Sequence, residues 1–389
     1  MFFGEKLKSL RELNGLSRKE LADKVKVSEQ AIWQYENQYT APKLEVINAL
    51  KTLFSVKAQF FYTKPFVKEI SKIEHIAYRS EDRDSRKKAK METTFLNYID
   101  YFLGEFEQRL NCPENKMQSL RDEAIHLLHV NYFNTDRKSL IEKIASLARK
   151  KLGIENNREL LYKLELSGIH ILEKNMGSDI DAYSTWTDNE KAFIVLGTKK
   201  KSSVRRNFDL AHELGHLLLH YKIDMDGLSK DEYMKIEKEA NDFASFFLLP
   251  EEEFRKDFSL IKKKSNPDAY IDLKAKYLVS IVALEYRAYK LGLLSFEENR
   301  YFYSSLNRKK YRKEEPLDAD IPVIKPGKTR ALFDMVFENR LISLNELLAT
   351  YNIECSFLAQ MFSFEQGFLD KYKSIPNPYY NEKKVVNLF

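Results

Sequence analysis

Arg206-Asn207-Phe208-Asp209-Leu210-Ala211-His212-Glu213-Leu214-Gly215-His216-Leu217-Leu218-Leu219-His220 reads as one helix, with its chemistry in the span from His212 to His216. Residues four apart on a helix point the same way, so both imidazoles can bind one metal ion. Glu213 lies ~100° round from His212, close enough to meet a metal-bound water without being a ligand. The expected division of labour is that two neutral histidines hold Zn²⁺ and the ion acidifies a water. Glu213 then takes the proton and delivers it to a leaving amine. Leu210, Leu214, Leu217 and Leu218 bury the other side of the helix, where two unpartnered histidines would be costly.

A catalytic zinc takes three protein ligands and keeps one position open. His220 lies one turn beyond His216 but ~80° from His212 around the helix, and one straight helix does not easily supply three ligands to one tetrahedron. It reads as the end of the helix, near the negative pole. The next apolar-periodic segment, Ile236-Glu237-Lys238-Glu239-Ala240-Asn241-Asp242-Phe243-Ala244, offers two glutamates. Glu237 shares a face with Asn241 and Ala244, whereas Glu239 shares one with Phe243 and Phe246; this periodicity favours Glu237 as third ligand. Solvated helix charges are the plain alternative for both.

Upstream of the helix the pattern changes to short β-rich runs: Ile169 to Leu172, Ala182 to Trp186 and Ala192 to Leu196, separated by Gly, Asp and Asn. A small sheet is expected. Phe193 to Leu196 precedes the metal helix and suggests an edge strand on which an extended peptide docks, although its side chains read as sheet core. The basic residues Lys199 to Lys201, Arg205 and Arg206 read as a solvated loop. Beyond the helix the chain is again helical, expected over about Lys230 to Leu249 and onward, with a proline-bearing link at Glu314 to Lys328.

The first sixty residues read as five short helices. Leu7, Leu10 and Leu13 form a stripe ended by Asn14-Gly15; Ser17 and Glu20 make a capping box; Ser28 caps a third helix; and Pro42 opens a fourth carrying Leu44, Ile47, Leu50 and Phe54. With a tight turn between the second and third, this is a helix-turn-helix pattern. A charged connector, Tyr78 to Lys90, then leads into a long helix ended by Asn111-Cys112-Pro113, and Ser139 to Leu152 is a further amphipathic helix. Ile342 to Leu348 and Ile353 to Phe362 read as either a second small helix-turn-helix or a packing module.

Across 389 residues, 12 Gly and 10 Pro favour long helices over a turn-rich β fold, and two distant cysteines make neither a disulfide framework nor a thiolate zinc site. With 64 basic residues against 58 acidic ones, bulk charge is weak evidence for nucleic acid. No run approaches a membrane span and Met1 to Glu5 opens no signal peptide, so a cytoplasmic location is expected.

The metal helix, the run Glu237-x-x-Ala240-Asn241-x-Phe243-Ala244 and Leu248-Leu249-Pro250 together resemble the ImmA/IrrE family of zinc metallopeptidases, over roughly residues 140–300. The resemblance implies Zn²⁺ at His212, His216 and Glu237, with Glu213 as general base. Members of that family cleave or inactivate helix-turn-helix repressors. Residues 4–62 resemble the phage-repressor (XRE-type) helix-turn-helix. That resemblance implies contact with double-stranded DNA through Arg18, Ser28, Glu29, Gln30, Trp33 and Gln34. Gln30 and Gln34 suit adenine edges and Arg18 suits phosphate or guanine.

The expected fold is mainly α and multidomain. Residues 1–62 form a five-helix helix-turn-helix domain and 63–115 a connector and long helix. Residues 116–300 form an α+β zincin-like peptidase domain with a small sheet, and 301–389 a helical region. The expected function is a DNA-binding regulator whose endopeptidase domain cuts a repressor or partner protein, acting as a homodimer. The alternative is a non-hydrolytic regulator, or an antitoxin whose zinc domain binds a toxin or senses a signal.

Overall fold

Two apolar clusters meet on opposite faces of a three-stranded sheet. The computed structural model describes residues 1–72, 83–131, 135–176, 181–198, 202–225, 227–375 and 386–387. Residues 78–82 of the expected connector and Lys199 to Lys201 lie outside them.

The N-terminal unit comprises α1 (Gly4–Leu13), α2 (Arg18–Val25), α3 (Glu29–Glu36), α4 (Leu44–Phe54) and a 3₁₀ turn, Ala58–Tyr62. The fifth of the expected helices is thus only that turn, anchored by the buried rings of Phe60 and Phe61. Glu20 N donates to Ser17 Oγ at 3.1 Å and Ser17 N donates back to Glu20 at 2.6 Å, a complete capping box. Lys26 ends α2 in the left-handed region at φ 56°, and Ser28 caps α3. Gly4 lets α1 cross the end of α3, because a Cβ there would sit 2.2 Å from the Tyr35 carbonyl oxygen. Leu44, expected inward, is 69% exposed; it is the first residue of α4, and the buried stripe begins at Ile47.

The long helix α5 (Arg83–Glu107) is more than a connector. Leu96, Ile99, Phe102, Leu103 and Phe106 are completely buried and form the spine of the first cluster. After β1 (Leu110–Asn111), the second cluster is built by α6 (Lys116–Val130), α7 (Arg137–Lys151) and α8 (Leu160–Leu166). The sheet follows: β2 (His170–Lys174), β3 (Ala182–Trp186) and β4 (Ala192–Gly197), in the order β2-β4-β3. β4 runs parallel to β2, with Ile171 opposite Ile194, and antiparallel to β3, with Ser184 opposite Ile194.

This order corrects the expected edge strand. β4 is central, paired on both sides and buried throughout, so no peptide can add to it. Its continuous apolar run reflects burial on both faces: Phe193 and Val195 join the first cluster, Ala192, Ile194 and Leu196 the second. β2 and β3 are the edges. Carboxylates of α5 bind the sheet side, with Glu92 2.9 Å from Lys174 and Glu107 3.0 Å from Lys191.

Beyond the sheet come α9 (Ser203–Leu219) and α10 (Lys230–Leu248), then α11 (Glu251–Phe258), α12 (Ile271–Tyr277), α13 (Ile281–Lys290) and α14 (Phe296–Arg308). α9 starts five residues before the expected Phe208. Arg206 is consequently no solvated loop residue; it is buried, paired with Glu173 and donating to the Ile324 carbonyl. Phe302 and Leu306 of α14 belong to the second cluster, so the unit expected to end at 300 extends through this helix.

The last helices, α15 (Lys328–Glu338), α16 (Leu344–Tyr351) and α17 (Cys355–Met361), return to the first cluster. The Glu165 carboxylate accepts from Gly327 N and Lys328 N and so caps α15. The α16–α17 turn pairs with the end of α4: Val56 bridges Ile353, and Lys57 N donates to Asn352 O at 2.8 Å. This helix-turn-helix-shaped segment packs against the N-terminal unit. The chain closes with β5 (Val386–Asn387), parallel to β1.

Candidate metal centre

α9 and α10 approach closely because their contact is made by small residues. A Cβ on Gly215 would lie 3.1 Å from the Phe243 ring and 3.3 Å from Ala240 Cα. Gly215 is the third x of the histidine motif's spacing, so the residue that lets α10 in also turns His212 and His216 toward it.

The Nε2 atoms of His212 and His216 lie 3.0 Å apart, and each is 3.4 Å from a Glu237 carboxylate oxygen. One donor atom from each of the three lies within 4.8 Å of the others. A tetrahedral Zn²⁺ with bonds of ~2.05 Å spaces its ligands ~3.3 Å apart. Two imidazole nitrogens and a carboxylate at these separations fit such an ion. Glu237 feels burial, which raises a carboxyl, but bonds from His212 and His216 outweigh it and hold the group well below its usual range.

Glu239 is directed elsewhere. Its carboxylate accepts a fork from Arg137 at 2.6 and 3.1 Å and lies 3.2 Å from His220 Nε2. His220 caps the C-terminus of α9, as its position suggested, and is also buried, with Nδ1 3.0 Å from Nδ1 of His216. His212 has its own partner, Asn241 Oδ1, 3.0 Å from its Nδ1. The helical period favours Glu237 over Glu239 but does not encode the pairs Glu239–His220 and Asn241–His212, because each is made between helices or depends on ring orientation.

Glu213 points away from α10 toward the sheet and is 6% exposed. Burial pushes its carboxyl up to about 7, against the opposing charge of His212. Ser184 belongs to β3 and its hydroxyl donates to the Glu213 backbone carbonyl at 3.1 Å. Trp186 Nε1 donates to Leu217 O at 2.9 Å. These two bonds fasten the edge strand along the metal helix. A small depression between them is lined by Ser184, Thr185, Glu213 and His216.

Residues 164–289 match the family model for the IrrE N-terminal-like domain, a peptidase family. Residues 7–61 match the model for the helix-turn-helix. The protein therefore joins a DNA-binding helix-turn-helix domain to an IrrE-like peptidase-family domain, as the two resemblances implied. A comparison with curated proteins gives no match. No helix among the described residues is long and apolar enough to cross a membrane.

The residues expected to meet DNA are partly engaged within the protein. Glu29 and Gln30 are exposed at the start of α3, with Gln34 half-buried farther along. The Ser28 hydroxyl accepts from Ala31 N at 3.1 Å, and Arg18 Nε donates to the buried Glu36 at 2.7 Å. Trp33 is 41% exposed and stacks on Tyr39, with ring centroids 5.1 Å apart. That stack accounts for an aromatic residue on this face.

Proposed function

We propose that the protein is a cytoplasmic DNA-binding transcriptional regulator whose IrrE-like domain is a zinc-dependent endopeptidase acting on a repressor or partner protein, working as a homodimer. The observation that carries this reading is the convergence of His212, His216 and Glu237 beside the buried carboxyl of Glu213. The three ligands would hold Zn²⁺, which supplies a Lewis acid to polarise the scissile carbonyl and acidify a water.

The chain's own groups do the rest. Glu213 takes a proton from the attacking water and passes it to the amide nitrogen as the C–N bond breaks. Its buried surroundings raise its basicity, and Ser184 ties its backbone to β3. An extended peptide adds to β3, the edge strand beside α9, through main-chain hydrogen bonds. Its scissile bond then passes over Glu213 and the two histidines. The helix-turn-helix domain brings this activity to DNA, or lets the act of cleavage alter occupancy there.

The test is Glu213→Gln. The substitution is nearly isosteric and spares all three ligands, so zinc content, fold and DNA binding should persist while cleavage of candidate repressors falls 10²–10⁴-fold. Regulation that survives Glu213→Gln but is lost in His212→Ala would make the domain a sensing or partner-binding module instead.

A further inference from the structure

Beside the candidate metal centre lies a cavity of about 210 Å³. Phe208 and Asn241 form the wall nearest the histidines; Leu248, Val279 and Ala283 are among its apolar lining, and the partly exposed Tyr286 stands at its rim. Among the described residues no charged side chain lines it.

Two contacts tie this cavity to the site. Asn241 Oδ1 is 3.0 Å from His212 Nδ1, and the Phe208 ring lies 6.4 Å from the His212 ring between centroids. The wall is thus made of the residues that touch a proposed ligand. An extended peptide advances ~3.3 Å per residue, so with its scissile carbonyl at the cluster, an adjoining side chain reaches the opening. A dry apolar cavity of ~150 Å³ already holds benzene, so this one admits a leucine, methionine or phenylalanine side chain. A carboxylate or ammonium would lose its hydration there with only the neutral Asn241 and Ser245 to meet it and no opposite charge in the lining.

We propose that this cavity is the specificity pocket of the domain. It takes a large apolar side chain from the residue adjoining the scissile bond, so the substrate is cut beside Leu, Met or Phe and not beside a charged residue. The proposal rests on the peptidase reading and names the substrate class of that same site.

The test uses binding, not turnover. Zinc-loaded full-length protein is titrated calorimetrically with acetohydroxamate and with the N-acylated hydroxamates of leucine, glycine and glutamate. The leucine compound should bind ~10–100-fold more tightly than the glycine compound, the range a filled apolar pocket supplies, and the glutamate compound no more tightly than glycine. Ala283→Phe fills the cavity and should bring the leucine-to-glycine ratio close to one, with zinc content and acetohydroxamate affinity unchanged. Tyr286→Asp, at the exposed rim, should cut the ratio without touching the core. A leucine preference undiminished in both variants, or absent from the wild type, overturns the pocket. Failure of acetohydroxamate to bind the zinc-loaded wild type would remove the metal-centre reading itself, and the pocket's role with it.

Discussion

His216 and His220 face each other through their Nδ1 atoms, 3.0 Å apart across one turn of α9. For His216 to offer the Nε2 lone pair to a metal, its proton must sit on Nδ1, where it is donated to Nδ1 of His220. The proton of His220 is then on Nε2, directed at Glu239, whose carboxylate Arg137 grips with two bonds. One tautomer is set by this chain from Arg137 to His216. Outer partners of this kind commonly affect metal affinity 10–100-fold. His220→Ala and Glu239→Ala should therefore each weaken zinc binding by that factor in a chelator competition, and Glu237→Ala should weaken it more. Wild-type affinity in His220→Ala would refute the orienting role.

Gly215 is the second lever on the same geometry. With a Cβ confined between Phe243 and Ala240 at 3.1–3.3 Å, Gly215→Ala forces α10 outward by a few tenths of an ångström. Overpacking of this kind costs about 1–3 kcal/mol, and Glu237 moves with α10. The expected outcome is a lowered Tm and zinc affinity reduced about tenfold. An unchanged Tm together with unchanged affinity would show that the helices do not depend on this contact.

These two sites show where the sequence stops being legible. The Ser17–Glu20 capping box, the tight turn after α2 and the histidine pair are local, and spacing alone locates them. The position of β4 is not local: Phe193 to Leu196 reads identically as an edge or a centre, and only pairing with both β2 and β3 decides it. The long helix through Phe95 to Phe106 is legible, but the charges of Arg86 to Lys90 read as a connector before it, whereas they are the first turns of α5. Its role as the spine uniting the first and last helices is set by distant contacts. By sequence His220 and Glu239 each stand as alternatives to Glu237 for the third ligand. Their actual partnership joins α7, α9 and α10, and no single period encodes it.

Glu285 gives a pH dependence that does not involve the metal centre. The residue is buried in the second cluster, and burial pushes its carboxyl up to about 7, with a bond to Tyr303 acting the other way. A raised folded-state value means that the native protein holds this proton more tightly than the unfolded chain does. Stability attributable to Glu285 is therefore greatest below about pH 4.5 and declines as pH rises to about 7. Glu285→Gln cannot ionise and should be more stable than the wild type at pH 8, on the order of 2 kcal/mol, with the advantage gone near pH 4.5. Denaturant melts at the two pH values read this directly. An equal difference at both would assign the effect to packing.

The start of α2 makes the last prediction, because the proposed DNA contact of Arg18 would be its second duty. Its Nε holds Glu36, which is 1% exposed at the side chain and is also paired with Arg11. Arg18→Ala leaves Glu36 one partner, so the N-terminal unit should lose at most about 1 kcal/mol. Glu36→Ala takes the carboxylate from the buried Arg11 guanidinium, while Arg18 stays solvated, and should cost about 3 kcal/mol. The Arg18 side chain is 37% exposed, so its remaining guanidinium nitrogens can still meet a phosphate. On an operator duplex, Arg18→Ala should lower affinity for all sequences alike and reduce the log–log salt slope by about one. Gln30 is exposed and has no such structural task. Gln30→Ala should leave Tm within about 0.5 kcal/mol of the wild type while relaxing preference at one base pair by about 1–3 kcal/mol. Salt titrations on matched and single-substituted duplexes separate the two effects. A sequence-dependent loss from Arg18→Ala with none from Gln30→Ala would move base recognition from α3 to the start of α2.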